Sequence, residues 1–265
     1  MNWSKNSSDD VLPRRAIVLG AGVVGVATAY ALARRGVEVT IMDRAAVAGS
    51  GASFANGAQL SYIYTDALAS NSLLKRLPSL ALGLDSSFRL WPNLDPSQIA
   101  WFMRFLRNCT HQRFLENSIA GLQLGLESQL AMHALLEQHS IEFGHQSAGK
   151  MLVYDDAAAF QSACDMVSVR QSHGAEQEIL NPTEAVNKEA ALAERTGGFV
   201  GAVYSPQEEL GDPHKFCNAL LSQLVKAYGV QVRMATEVES WEADSDTAIV
   251  TTKAGETIVC DQLVM

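Results

Sequence analysis

The run from Arg15 to Asp43 restricts this chain more than any other part of it. Residues 16–19 (Ala-Ile-Val-Leu) read as a strand, and Gly20-Ala21-Gly22-Val23-Val24-Gly25 as a turn that enters an alanine-rich helix. Gly36 ends that helix, residues 37–42 form a second β-rich run, and Asp43 stands at its end. Each position has its own physical task. Gly20 permits a sharp turn out of the strand, Gly22 lets backbone approach a pyrophosphate, and Gly25 lets the helix pack on the sheet. The helix start offers unpaired N–H groups and about half a positive charge to a diphosphate. Ala29 and Leu32 fall on the helix face turned to the sheet, and Asp43 is placed to accept hydrogen bonds from an adenosine ribose. The pattern is that of a dinucleotide-binding βαβ unit.

Two plainer readings compete with it. Arg14-Arg15 precedes a nearly uncharged run of residues 16–33, which as a helix covers about 27 Å, long enough for a membrane span. A second β-rich run ending in an acid does not follow a signal peptide or a span. A buried strand–helix pair accounts for Gly25 and Gly36, but not for Gly20 and Gly22 together. A 2′-phosphate beside Asp43 meets repulsion of roughly 4 kcal/mol at about 4 Å, which disfavours NADP. The spacing leaves NAD and FAD open.

A chain of 265 residues with 48% hydrophobic content can bury a substantial core. Its net charge of −9 gives no electrostatic footprint for nucleic acid. Cys109, Cys164, Cys217 and Cys260 lie far apart and form no metal or redox motif, so reduced cysteines in a cytoplasmic protein are expected. Residues 1–14 are polar and read as a disordered tail.

Beyond Asp43, residues 48–59 are small, hydroxyl- and amide-bearing and too glycine-rich for a helix. They leave the carboxyl end of the second strand, where open α/β sheets bind ligands. Ser53, Asn56 and Gln59 are therefore candidate polar contacts. From here the chain resembles the FAD-dependent D-amino-acid dehydrogenases, within the wider D-amino-acid oxidase-like flavoproteins. The likeness is carried by the opening βαβ unit, Gly51-Ala-Ser-Phe-Ala-Asn-Gly-Ala-Gln-Leu-Ser61, Phe105-Leu-Arg-Asn-Cys109, Thr196-Gly-Gly198, and Val203-Tyr-Ser-Pro-Gln-Glu-Glu-Leu-Gly-Asp-Pro-His-Lys-Phe-Cys217. Where that group often has Ala-Gly after the asparagine, this chain has Gly57-Ala58.

The resemblance implies an α/β fold: a Rossmann-like FAD-binding domain (15–61 and 197–265) with a discontinuous substrate or cap domain of mixed α+β type (62–196). It selects FAD over NAD. It implies cofactor contacts from Gly20, Ala21, Gly22, Val23, Val24, Gly25, Asp43, Arg44, Ser53, Asn56 and Gly57, and from the Val238 backbone beside the adenine. The implied reaction is oxidative deamination of a D-amino acid to a 2-oxo acid and ammonia, with electrons passed to a respiratory acceptor such as a quinone. Oxidation of glycine, sarcosine or hydroxyproline is the enzymatic alternative. A non-catalytic nucleotide-binding chain is the other.

The middle of the chain reads as helical. Asp95-Pro96-Ser97 is a helix start with Asp95 as N-cap, and Trp101, Phe105 and Leu106 follow at helical spacing. A longer helix is expected from about Asn117, with Ile119, Leu122, Leu126 and Leu130 on one face. The leucine- and cation-rich tract 73–84, with Trp91 and Trp101, reads either as cover for the substrate domain or as a peripheral patch on the inner face of the cytoplasmic membrane. Lys150-Met-Leu-Val-Tyr154 reads as a strand before a helix through Val169. Asn181-Pro-Thr-Glu184 is a helix start with its acid at the third helical position. Residues 198–204 read as a strand, and Asp212-Pro213 starts a helix to about Tyr228. Residues 230–232 re-enter the nucleotide domain, and 247–252 with 257–264 form a hairpin leading back to its sheet. In the resembling flavoproteins the strand at Asp261-Gln-Leu-Val-Met265 leads to a further glycine turn and later to a carboxylate-binding arginine. On that basis no catalytic residue is assigned, and residues 1–265 alone are expected to bind FAD weakly or not at all and not to oxidise D-alanine.

Overall fold

The structure, a computed structural model, describes residues 14–70, 73–74 and 95–265. The expected tail, most of the 73–84 tract and Trp91 lie outside the described residues. The chain opens with β1 (Arg15–Leu19), α1 (Val23–Ala33), β2 (Glu38–Met42) and β3 (Gln59–Leu60). Two helices follow, α2 (Pro96–Asn108) and α3 (His111–Gln138), then β4 (Lys150–Tyr154), α4 (Ala157–Gln171), β5 (Glu178–Leu180) and α5 (Pro182–Lys188). After a 3-10 turn at Ala190–Glu194 come β6 (Gly201–Ser205), β7 (Glu209–Leu210) and α6 (Pro213–Tyr228). The last strands are β8 (Gln231–Arg233), β9 (Val238–Ala243), β10 (Ala248–Thr252), β11 (Thr257–Cys260) and β12 (Gln262–Val264).

The chain divides into two compact units. The first takes in the chain up to Gln59, with Leu136–Gln146 and Leu210–Met265. Its parallel sheet has the order β12-β1-β2-β8, with Ile17 opposite Leu263 on one side and Thr40 on the other. Ala16, Ile17, Val18, Val39, Ile41 and Met42 are all buried, as a sheet covered on both faces requires. α1 turns Val26, Ala29, Tyr30 and Ala33 inward; Leu32, expected on that face, is half-buried, because Ala33 takes the inner position. The antiparallel ribbon β11-β10-β9 lays Ala248, Val250 and Cys260 on Ile17 and Met42. The expected hairpin is thus present, divided at Asp261 so that β12 pairs beside β1.

The second unit comprises Leu60–Leu135 and Ser147–Glu209. Its antiparallel sheet β4-β6-β5 sets Lys150 opposite Ser205 and Glu178 opposite Tyr204. This pairing carries β6 into the second unit, so the return to the first falls at Leu210 instead of residue 197. Three helix starts follow the sequence signals: Asp95 bonds Ser97 N–H, Asp212 bonds Lys215 N–H, and Asn181 with Glu184 completes a capping box. α3 begins at His111, earlier than expected, with the Thr110 hydroxyl accepting from Arg113 N–H at 3.3 Å. Its buried positions are Ser118, Leu122, Gly125 and Leu135, whereas Leu130 is 71% exposed, which corrects the leucine face read from the sequence. The reason is close backbone packing. A Cβ on Gly125 would stand 2.0 Å from the Tyr62 carbonyl oxygen, and one on Gly121 2.8 Å from that of Thr65.

Candidate cofactor site

The site is built at the carboxyl ends of β1 and β2, where the chain leaves one strand for α1 and the other for the small-residue loop. Gly20 has φ +103°, a conformation that needs glycine, and its N–H donates to the Met42 carbonyl at 2.7 Å. A Cβ on Gly25 would lie 1.8 Å from the Gly20 carbonyl oxygen, so no larger residue fits between turn and helix. α1 starts at Gly22 with no side-chain cap and no acid in its first turn. The Val23 N–H donates to Ser53 Oγ at 3.2 Å, and Val24, 79% exposed, lines the cleft beside the turn.

Asp43 ties this turn to the next loop. One carboxylate oxygen accepts from Ala21 N–H at 2.6 Å and the other from Ala45 N–H at 2.7 Å. Its carbonyl accepts from Thr236 N–H at 2.9 Å, and Ala235 N–H donates to the Ala45 carbonyl at 2.8 Å. A carboxylate oxygen has more than one lone pair, so these bonds leave acceptor capacity for a ribose.

Two clefts meet at Gly20, Asp43 and Arg44. The larger, about 450 Å³, is also lined by Gly22, Val23 and Ser53; the smaller, about 310 Å³, by Thr236, Glu237 and Val238. Expected contacts from distant parts of the sequence therefore share one place. Asn56 and Gly57 do not line either cleft; the Asn56 side chain instead accepts from Ala58 N–H at 2.8 Å. A larger hollow, about 630 Å³, lies beside Trp241 and the β9–β10 turn. It holds none of the glycine-turn donors, so size does not nominate it. The Thr236–Val238 stretch was expected beside the adenine and lines the smaller cleft, whereas Ala45 and Ala235 were not legible, since their part is played by backbone groups.

The second unit carries a separate buried polar cluster. Glu208 is 2% exposed and accepts from Tyr62 N–H at 2.9 Å and Ile63 N–H at 2.8 Å. Its other oxygen, Oε2, has no hydrogen-bond partner among the described residues. Glu209 accepts from the Tyr62 hydroxyl at 3.0 Å and from His133 Nε2 at 2.5 Å. Burial first, then the Glu209 carboxylate, push the Tyr62 phenol far above its ordinary value. Arg170, also buried, pairs with Asp66 and donates to Gln177, which in turn donates to Ser205.

A parallel sheet with a glycine turn, an uncapped helix start and an acid at the second strand's end defines a dinucleotide-binding class. The chain matches the family described as FAD dependent oxidoreductase over residues 15–265, and it belongs to that family. It is 38% identical to D-amino acid dehydrogenase 2 of Ralstonia nicotianae, over 94% of this chain and 59% of the relative. It is 37% identical to the D-amino acid dehydrogenase of Paramagnetospirillum magneticum, over 88% of this chain and 55% of the relative. The chain thus spans little more than half the length of these curated relatives. Among solved structures, glycine oxidase from Geobacillus kaustophilus aligns with a TM-score of 0.64 at 22% identity, over 95% of this chain and 54% of that one. L-amino acid deaminase from Proteus vulgaris aligns at 0.62 and 16%, over 98% and 49%. These likenesses carry the fold. Family membership makes FAD the cofactor, and the donor set at the start of α1, with the close Gly20–Gly25 contact, suits its diphosphate.

Proposed function

We propose that the protein to which this chain belongs is a D-amino acid dehydrogenase, converting a D-amino acid to the imino acid, which water hydrolyses to a 2-oxo acid and ammonia. The single observation that supports this most is the 38% identity to a D-amino acid dehydrogenase across nearly the whole chain. FAD, when bound, supplies the acceptor for the hydride that leaves the substrate Cα. This chain's residues bind and orient. The backbone at Gly20, Ala21, Gly22, Val23, Val24 and Gly25 faces the diphosphate, Asp43 accepts from the ribose, and Arg44 offsets phosphate charge. The Val238 backbone would meet the adenine and Ser53, which lines the larger cleft, the diphosphate, while Asn56 and Gly57, outside both clefts, shape the loop that carries Ser53. A dye-coupled assay of the full-length protein tests the reaction. Turnover with D-alanine above that with glycine and sarcosine is expected; the reverse order refutes the substrate class.

We further propose that electrons pass to a membrane quinone and that α2 rests on the bilayer surface. α2 has no buried residue, and its Ile99, Trp101 and Met103 are exposed. Arg104 and Arg107 are its charged residues, with no acid among them, a composition suited to an anionic interface. No helix among the described residues is long and apolar enough to cross a membrane. Co-sedimentation with phosphatidylglycerol vesicles, lost in Arg104→Glu with Arg107→Glu, is the expected result; binding unchanged by that pair refutes the contact.

A further inference from the structure

The polar groups at the beginning of α6 converge on one loop, which also meets the glycine turn through Gly49 N–H and the Ala21 carbonyl at 2.9 Å. Gly211 N–H donates to the Ala58 carbonyl at 2.9 Å. His214 Nδ1 donates to the Gly49 carbonyl at 3.2 Å, and Asn218 Nδ2 donates to the Ala48 carbonyl at 3.0 Å. Gly49 has φ +69°, which favours glycine, and a Cβ there would stand a tight 3.1 Å from that of Cys217, so glycine suits the close approach of loop and helix. The His214 ring meets Phe54 edge-on at 5.1 Å between centroids. The loop so held, residues 48–58, carries Ser53, whose hydroxyl accepts from Val23 N–H at the start of α1.

Within itself this loop has few ties: Phe54 N–H to the Gly51 carbonyl, Ser50 Oγ to Val47, and Asn56 to Ala58. Ordering a loop residue costs about 1–2 kcal/mol of backbone entropy, and its small side chains offer little burial in return. Its placement therefore depends on groups outside it. α6 is suited to that task, since Asp212 caps its first turn and Phe216, Cys217, Leu220 and Leu224 anchor it in the core.

We propose that His214 and Asn218 are positioning residues for the cofactor diphosphate: they hold the 48–58 loop so that the Ser53 hydroxyl stands at the first turn of α1. The inference rests on the FAD site described above and assigns a role to the 203–217 motif that nucleotide contacts leave unexplained. Neither side chain need touch the cofactor. Removing either releases the loop, and Ser53 with it.

The test titrates full-length apoprotein with FAD, ADP and adenosine. Asn218→Leu keeps the side chain's size without its donor, and His214→Phe keeps a ring against Phe54 without Nδ1. Each is expected to raise the dissociation constants for FAD and ADP about 5–20-fold, the scale of one lost hydrogen bond or somewhat more, while adenosine binding stays unchanged. Ser53→Ala should give a similar loss, and its combination with Asn218→Leu no further loss, since the two act through one group. Unchanged FAD affinity in both α6 variants overturns the proposal, as do equal losses for adenosine or additive losses with Ser53→Ala. If Asn218→Leu fails to fold, as judged by circular dichroism, His214→Phe with Ser53→Ala decides. Loss of FAD in Gly22→Val with full retention in the α6 variants leaves the cofactor site standing and removes only the positioning role.

Discussion

The two units hold together by different chemistry. Among the described residues, the buried polar or charged side chains Ser118, Arg170, Gln177, Ser205, Glu208 and Glu209 all belong to the second unit, and Thr252 alone to the first. The first unit is closed by aliphatic packing of strands against α1 and the β9–β11 ribbon, while its polar work is done by backbone amides with Asp43, Ser53, His214 and Asn218. The second anchors an irregular segment, residues 62–67, with carboxylates and hydroxyls. An apolar core tolerates small volume changes. A buried polar group that loses its partner is left with a desolvation cost, so the second unit has less room for substitution at its centre.

The largest effect is expected at the turn. Gly22→Val places branched carbons where a single Cβ already stands 3.4 Å from Ser53 Oγ. Flavin retention should be abolished, read as the flavin-to-protein absorbance ratio after gel filtration; an unchanged ratio removes Gly22 from the site. Next, Glu208→Ala should lower stability by about 2–5 kcal/mol, because two buried amides lose their acceptor. Ile41→Val in the first unit should cost only about 0.5–1.5 kcal/mol. Urea unfolding measures both, and equal losses would break the contrast between the units.

Asp43→Ala sharpens the contrast from the other side. Its carboxylate is the principal polar side chain of the cofactor site, and its loss should weaken FAD by about 1.5–3 kcal/mol. No change in an apoprotein titration reduces Asp43 to a strand terminus. The smallest effect concerns the exposed Arg233–Glu256 pair that links β8 to the β10–β11 turn. The Arg233 hydrogen bond holds the Glu256 carboxyl below its ordinary 4.5. A depressed acid stabilises the fold above its unfolded value, and that contribution fades as pH falls through the folded one. Glu256→Gln should therefore lower the urea midpoint slightly at pH 7, and salt should reduce the difference. The gap should close at low pH; a gap that persists there contradicts the ionic origin.

What could be read from the sequence follows the same division. β1, the turn, α1, β2 and Asp43 were legible because each step is local and each glycine has a distinct steric reason. The caps at Asp95, Asn181 and Asp212 were legible for the same reason. α3 was misjudged where long-range packing overrides periodicity. Its start carried a signal in Thr110, but its buried face is set by Gly121 and Gly125 lying under the Tyr62 and Thr65 backbone. Glu208 fell inside the 203–217 motif, but its role was not legible there, since its partners lie about 145 residues away. Within the cofactor site, Ser53 was legible by composition, whereas the His214 and Asn218 bonds to its loop depend on the packing of α6.

The hydrogen bond from Val23 to Ser53 bears on how the cofactor arrives. A helix start aimed at a diphosphate is, before the ligand comes, a set of donors in search of an acceptor. Here one of them already has a hydroxyl, and the neighbouring Ala21 amide has the Asp43 carboxylate. The turn is thus held in shape by substitutes drawn from the chain itself. Cofactor entry becomes an exchange of partners on a formed surface, not the ordering of a slack one. Changes at Ser53 should consequently show in how fast the cofactor lands, and not only in how fast it leaves.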